Sequence, residues 1–387
     1  MKQVLLVCPE APYPALGGGA QRMVSLIEYF VARGCAVDVL TFIPCEAPAD
    51  MVREVLCVPL PANGRSLPAR VLRNASRLAR GVPPLIDRLA GFDAGVRAVL
   101  GSRRYDLAVL EHLWVAPYVD LIRGYAERVW CDLQNIESRF FRTMAAAAGP
   151  GAAWAHRRFA RLNEKLEAEL LPKFDGCLVC SEEDARLVRD ARVVVYPNTI
   201  AWYERTEREK SRMLVFSGNM EYHPNQQAVR WFHGSIWPKL RSRFPELRWR
   251  LVGMNPEAVR GVVCGDSRIE MTGTVADAMS EIGQAQLAVV PLLAGSGTRI
   301  KILEAWAAGT AVVSTTLGAE GLPGCLRIAD GAEAFERAVV ELLGDAGERR
   351  RLEAAGRKTY EERFHRQAGW NVLDVEGPGR ELNETVS

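Results

Sequence analysis

Apolar and polar positions fall in blocks along this chain, and the blocks repeat one unit: a short apolar run, a turn, then a longer stretch with helical spacing. Val4 to Cys8 is the first run and reads as a buried strand. A helix is predicted from about Ala20 to Arg33, stopped by Gly34, and Val37 to Phe42 is the next strand. Tyr105 to Leu110, Arg128 to Asp132, the run around Cys177, and Val193 to Tyr196 continue the series. The polar stretch Trp202 to Arg212 interrupts it and reads as a linker.

The pattern then restarts. Strands are predicted at Met213 to Phe216, Trp249 to Val252, Ile269 to Met271, Leu287 to Val290 and Ala311 to Ser314. Helices fall at Gln226 to Leu240 and at about Thr298 to Ala308, the latter ended by Gly309. From Glu336 to Phe364 the chain is helical and strongly charged, Phe364 and Trp370 read as anchors, and the last ten residues are expected to be loose. Strands alternating with helices predict an α/β protein with parallel sheets. Two series around one linker predict domains at 1–200 and 213–362, with 201–212 between them and 363–387 as a final segment.

Candidate chemistry concentrates between Pro291 and Leu322. A strand, the turn Gly295, Ser296, Gly297, and a helix start make a ready anion site, because glycines admit a phosphate to the first free N–H groups. Ile300, Leu303 and Ala307 form one apolar stripe of that helix, and Ile302 and Trp306 a second, so most of its circumference demands burial. Lys301 and Glu304 interrupt this surface on one face. Buried charges need partners. A nucleoside diphosphate would supply one, with Lys301 on phosphate and Glu304 on a ribose diol; an intrahelical Lys–Glu pair is the alternative.

The first βα turn carries Gly17, Gly18 and Gly19, without the G-x-G-x-x-G dinucleotide fingerprint and without a P-loop. Three glycines there place free N–H groups where a substrate should lie, with Arg22 one turn further on; a flexible helix-capping loop is the alternative.

Composition adds limits. At 387 residues, with 48% hydrophobic and 25% charged side chains, the chain suits two domains with sizeable cores. A net charge of +2 gives no reason to expect a nucleic-acid partner. The N-terminal apolar run is too short for a signal peptide, so a cytoplasmic protein is expected. Nine scattered cysteines fit a reducing compartment. Cys177 and Cys180 sit in a strand whose alternation points their sulfurs apart, so core cysteines are expected and no metal. Arg65 to Arg104 holds nine arginines against two aspartates, with Leu67, Val71, Leu72, Leu78 and Ala79 giving it an apolar side. Such a stretch suits an anionic acceptor or peripheral contact with the inner membrane face, and equally a solvated face of packed helices.

The Pro291–Leu322 segment resembles the donor-binding segment of retaining glycosyltransferases of family 4, which carry a Glu, seven residues, then a second Glu. Glu304 falls on the second, the ribose-binding position, and Ser296 stands where the first would be. The run Asp132 to Ser138 is similar to the family's D-x-H-N-x-E-S, with Asn135 and Glu137 matching and Gln134 in place of the His. Gln donates a hydrogen bond but carries no proton in acid–base work; His112 is the polar group that would compensate, a structural histidine after its strand being the alternative. Ser217 to Asn225 resembles a branch with G-x-M-x-x-x-P-N; it lacks the Arg and Lys that other members place there, which shifts diphosphate binding to Arg299 and Lys301.

The resemblance implies the GT-B fold: two facing Rossmann-like domains with a cleft between them, an N-terminal acceptor-side domain, a C-terminal donor domain and a C-terminal helix crossing back. It implies sugar transfer from a nucleotide-sugar, a UDP-sugar favoured, with retention and without metal or cofactor. The acceptor would be a glycan, a lipid-linked intermediate or a small molecule, in polysaccharide or natural-product biosynthesis. Lys301, Arg299 and Gln134 would be catalytic. Gly18, Gly19, Gly218, Asn219, Gly273, Val275, Ser296, Gly297, Thr298, Arg299, Lys301 and Glu304 would bind donor. Arg22, His112, Asn135 and Glu137 would face the acceptor. A nucleotide-sugar epimerase and a catalytically inactive sugar-nucleotide-binding protein are the alternatives.

Overall fold

The computed structural model describes residues 1–61, 66–146, 148–205, 209–295 and 299–384. The chain divides into two compact units, Met1–Pro197 with Gly369–Ser387, and Asn198–Ala368.

Unit 1 holds a seven-stranded sheet: β1 (Gln3–Cys8), β2 (Ala36–Thr41), β3 (Glu54–Cys57), β4 (Tyr105–Glu111), β5 (Ala126–Leu133), β6 (Gly176–Val179) and β7 (Val193–Val195), in the order β3-β2-β1-β4-β5-β6-β7. All neighbours run parallel. Val4 to Cys8 is buried on both faces, as a parallel strand between helical layers must be. The helix Gly18–Ala32 returns over the sheet, and Met23, Leu26, Ile27 and Phe30, at the spacing of one helical stripe, bury that face. Gly34, in the left-handed region at φ 72°, ends it by donating to Val31 O.

Unit 2 repeats the plan with six parallel strands: β8 (Ser211–Ser217), β9 (Arg248–Val252), β10 (Ile269–Gly273), β11 (Ala285–Val290), β12 (Ala311–Ser314) and β13 (Arg327–Ile328). Their order is β10-β9-β8-β11-β12-β13. The helix Ile300–Ala307 buries Ile302, Leu303, Ala305, Trp306 and Ala307, leaving Lys301 and Glu304 half-buried on its remaining side.

The end of the chain departs from expectation. Pro378–Glu384 is a helix packed on unit 1, not a loose tail. Glu381 accepts from Trp130 Nε1 at 2.9 Å and from Arg192 Nη1 at 2.6 Å. The missing side chain of Gly379 leaves room for the Tyr29 hydroxyl, 1.6 Å from where its Cβ would stand. The two expected anchors separate: Phe364 belongs to the unit 2 core beside Trp306, whereas Trp370 packs on Tyr29 of unit 1. Cys177 lies in the unit 1 core, and Cys180, one residue beyond β6, donates to Gln134 O. Among the described residues no helix is long and apolar enough to cross a membrane.

One glycine tests the unit 2 packing. Gly356 lies inside the helix Ala346–Thr359, and a Cβ there would stand 2.3 Å from Cδ1 of the buried Trp306. Helix propensity favours Gly→Ala by about 1 kcal/mol, but overpacking against a fixed indole costs about 1–3 kcal/mol or more. Gly356→Ala should therefore destabilise unit 2, read as a lower urea midpoint with an unchanged slope.

Candidate functional site

In each sheet the chain starts in the middle and winds outward both ways, reversing between β1 and β4 in unit 1 and between β8 and β11 in unit 2. Connections diverge there, so the carboxyl ends of those strands open a crevice for ligands.

In unit 2 the crevice is lined by the turn after β8 and by the first turns of Ile300–Ala307. Ser217 Oγ donates to Glu304 Oε2 at 3.1 Å. Lys301 Nζ donates to Asn225 Oδ1 at 2.8 Å and lies 4.5 Å from the centroid of the Phe216 ring. The two charges thus engage the two ends of one connection, Ser217 closing β8 and Asn225 in the first turn of the helix His223–Ser235. Gly218 has φ 139°, and a Cβ there would stand 2.9 Å from Asn225 Nδ2 and 3.1 Å from the Lys301 ammonium. Gly253, on the neighbouring turn, is held closer still: its Cβ would stand 2.2 Å from Gly218 O. Asn219 Oδ1 accepts from Glu221 N and from Asn255 Nδ2, both at 2.9 Å, which binds the turns after β8 and β9 together.

Arg299 occupies the N-cap position and is buried, its guanidinium 3.0 Å from where a Gly295 Cβ would be. Burial, with Arg299 alongside, pushes the Lys301 ammonium down to about 7, against the pull of Glu304. Gly273 ends β10 at φ 70° with open space beside its Cα, and Val275 packs against the unit 2 core. Ser296, Gly297 and Thr298 lie outside the described residues. Sequence reasoning passed over Ser217, Asn225 and Gly253. Asn225 closes the P-N pair already noted, so its signal was present.

In unit 1 the crevice has a buried polar floor. Arg22 sends Nε and Nη2 to the two oxygens of Asp132, at 2.7 and 2.6 Å, and Nη1 to Tyr196 O at 2.8 Å. Its guanidinium is therefore turned inward, away from the acceptor role expected of it. Asp132 pairs in register with Glu111 on the adjacent strand, and neither is exposed. Burial first, then Asp132, holds the Glu111 carboxyl well above the usual range. Gln134 Nε2 donates to Glu111 Oε2 at 3.0 Å and to Gly19 O at 3.4 Å. His112, at φ 69°, stacks on Trp114 with ring centroids 4.1 Å apart.

A Cβ on Gly19 would meet Gln134 Oε1 at 3.0 Å and His112 Nε2 at 3.9 Å. Gly18 opens the helix after Gly17, and both stand at the start of the crevice wall. Asn135 is half-buried. Glu137 begins its own helix and is buried, its carboxyl pushed up to about 8 by desolvation, so it too faces protein and not an open acceptor surface. Glu111 was not among the residues expected from sequence; its adjacency to Asp132 exists only in the strand order.

Comparison with known proteins identifies the family and the fold. The family described as glycosyl transferases group 1 matches residues 211–345, and the glycosyl transferase 4-like domain matches residues 17–199. A phosphatidyl-myo-inositol mannosyltransferase of Mycolicibacterium smegmatis is 32% identical over 149 residues, 36% of this chain and 37% of that protein. The match thus spans little more than a third of that relative's length. Sucrose-phosphate synthase from Thermosynechococcus elongatus superposes with a TM-score of 0.75 at 17% identity, covering 100% of both chains. Anabaena HepE, solved with UDP and glucose, gives 0.64 at 13% identity, over 100% of this chain and 99% of that one. The fold is the two-domain α/β architecture of the GT-B type, and the chain belongs to the glycosyl transferases group 1.

Removing one partner of a buried ion pair costs about 3–5 kcal/mol, because the other charge stays behind unsatisfied. Arg22→Met should therefore unfold unit 1 at markedly lower urea. Arg22→Lys should recover only part of the loss, since an ammonium cannot reproduce the fork. Unfolding followed by a probe in each unit separates the two.

Proposed function

We propose that this protein transfers a sugar from a nucleotide-sugar donor, a UDP-sugar favoured, to an acceptor with retention of anomeric configuration. The observation that carries the reading is the turn at the β8–β11 reversal, where Lys301 and Glu304 hold the two ends of the connection after β8 and Arg299 adds a second cation. Glu304 would hold the ribose hydroxyls, displacing or sharing Ser217 Oγ. Lys301 and Arg299 would hold the diphosphate, and their charge would stabilise it as it leaves the anomeric carbon. UDP is supported by the ligand of Anabaena HepE, and sugar transfer by the names of the mannosyltransferase and the synthase. The acceptor is proposed to be a glycan, a lipid-linked intermediate or a small molecule, received by unit 1 near His112 and Asn135. No metal or cofactor enters this scheme.

Peripheral contact with an anionic membrane is proposed for the helix Leu67–Arg80, on which Val71 and Leu72 are 61% and 73% exposed. Arg77 contributes little to it, being buried and bonded to Asp87, which also takes Arg80. Leu72→Glu should then abolish co-sedimentation with phosphatidylglycerol vesicles; retention of binding would return this helix to an ordinary solvated face.

Calorimetry with uridine, UMP and UDP tests the donor site. Hydrogen bonds to a charged group contribute about 1.5–3 kcal/mol each, so Glu304→Ala should weaken all three ligands on the order of 100-fold. Lys301 binds phosphate in its charged form, so a bound diphosphate raises a pKa that stands at about 7 in the free protein. Below pH 7 the lysine is already charged and affinity is level. Above it, UDP affinity should fall by up to about tenfold per pH unit, with proton uptake on binding, while uridine affinity stays flat. Equal slopes for uridine and UDP would remove Lys301 from the diphosphate. Nucleotide binding without transfer to any acceptor would favour the inactive reading, and sugar isomerisation the epimerase.

A further inference from the structure

Five side chains from three parts of unit 1 form one buried series: the first helix, the end of β4 and the end of β5. Arg22 grips Asp132 with two hydrogen bonds, and Asp132 stands in register beside Glu111. Glu111 Oε2 accepts from Gln134, whose amide oxygen lies with His112 Nε2 against the Cα of Gly19. Four of the five are at most 5% exposed, and Gln134 is 7%.

An amide has two donors on nitrogen and an acceptor oxygen. Gln134 Nε2 donates to Glu111 Oε2 and Gly19 O, and its amide also hydrogen-bonds the His112 ring, which sets the orientation of the group. The amide oxygen is thereby turned toward the imidazole. Glu111 Oε1 has no donor among the described residues, as expected of an oxygen that carries a proton and offers it to Asp132. His112 is fixed independently, by stacking at 3° on Trp114 and by a left-handed backbone that few non-glycine residues adopt. A residue held in such a conformation beside a ligand crevice points to a job for its ring.

We propose that Glu111 is a positioning residue that acts in its protonated form. It holds the Gln134 amide nitrogen inward, so that the amide oxygen accepts a hydrogen bond from His112 Nε2–H and the ring is locked as one neutral tautomer. Nδ1 is then a lone acceptor for a substrate hydroxyl, a last step that rests on the sugar-transfer reading. Burial pushes the ring down to about 4, so it stays neutral through the physiological range. The imidazole thus arrives from the end of β4, not from position 134, where the resembled family carries it.

The test is a two-bond proton–nitrogen correlation spectrum of the full-length protein labelled with nitrogen-15. His112 is assigned through His112→Gly, since φ 69° with ψ 152° is a backbone that glycine adopts without strain. The wild type should show a single tautomer protonated at Nε2. Glu111→Gln reproduces the protonated acid, its oxygen accepting from Gln134 and its nitrogen donating to Asp132, and should keep that tautomer. Glu111→Leu frees the amide to turn over and should mix the two tautomers, with kcat down about tenfold, the worth of one hydrogen bond, and donor KM unchanged. Glu111→Gln should restore most of that rate. Should Glu111→Leu not fold, Gln134→Leu breaks the same link from the other side. A single Nε2–H tautomer in the folded Leu variants, or mixing in Glu111→Gln, overturns the proposal. UDP affinity measured on the same samples reports on the donor site separately, so failure of the sugar-transfer reading would be seen apart from this one.

Discussion

A parallel sheet whose first strand lies in its middle must send its connections outward in both directions, and this constraint governs both halves of the molecule. Where the connections part, no helix crosses over the strand ends. The backbone there must be short of side chains, which accounts for Gly19 and Gly218, each with another element's polar group where its Cβ would be. The polar groups must be held from several elements at once, since no single loop surrounds them. Lys301 reaches across to Asn225, Glu304 to Ser217, Gln134 to Glu111 and Gly19.

The same geometry is used with opposite electrostatics. In unit 1 the polar floor balances itself: Arg22 against Asp132, a Glu111 carboxyl that burial drives toward its neutral form, and a His112 ring that burial keeps neutral. Nothing in that set calls for an ionic ligand, and a hydroxyl-rich one suits it. In unit 2 the helix start carries Arg299 and Lys301 against Glu304, and Lys301 yields much of its charge preference to burial. A polyanion would restore it. One crevice is built to orient, the other to neutralise.

The strands and the two-part plan were legible because fully buried parallel strands write themselves as continuous apolar runs, as in Val4 to Cys8 and Leu287 to Val290. Lys301 and Glu304 were legible as charges on a helix with no polar face of its own. Glu111 was not, because its meaning depends on Asp132 one strand away, and strand order is not carried by local spacing. Arg22 misled for a related reason: an arginine beside a glycine turn looks available until the end of β5 supplies its partner. Composition alone overstated the free charge of the arginine-rich stretch, since a single Asp87 bonds both Arg77 and Arg80.

Unit 1 is assembled from both ends of the chain, and this orders events during synthesis. Trp130 and Arg192 are made early, yet the carboxylate that satisfies both belongs to Glu381. Tyr29 and Arg33 likewise wait for Asp374. The first half of the polypeptide therefore leaves the ribosome with a wall of its core uncovered, and all of unit 2 must be translated before the covering helix exists. A nascent chain in that condition exposes apolar surface for the time needed to add some 170 residues, many seconds at about 5–20 residues per second. The C-terminal helix acts as a late-arriving clasp, and the half-made protein is the form in greatest need of a chaperone.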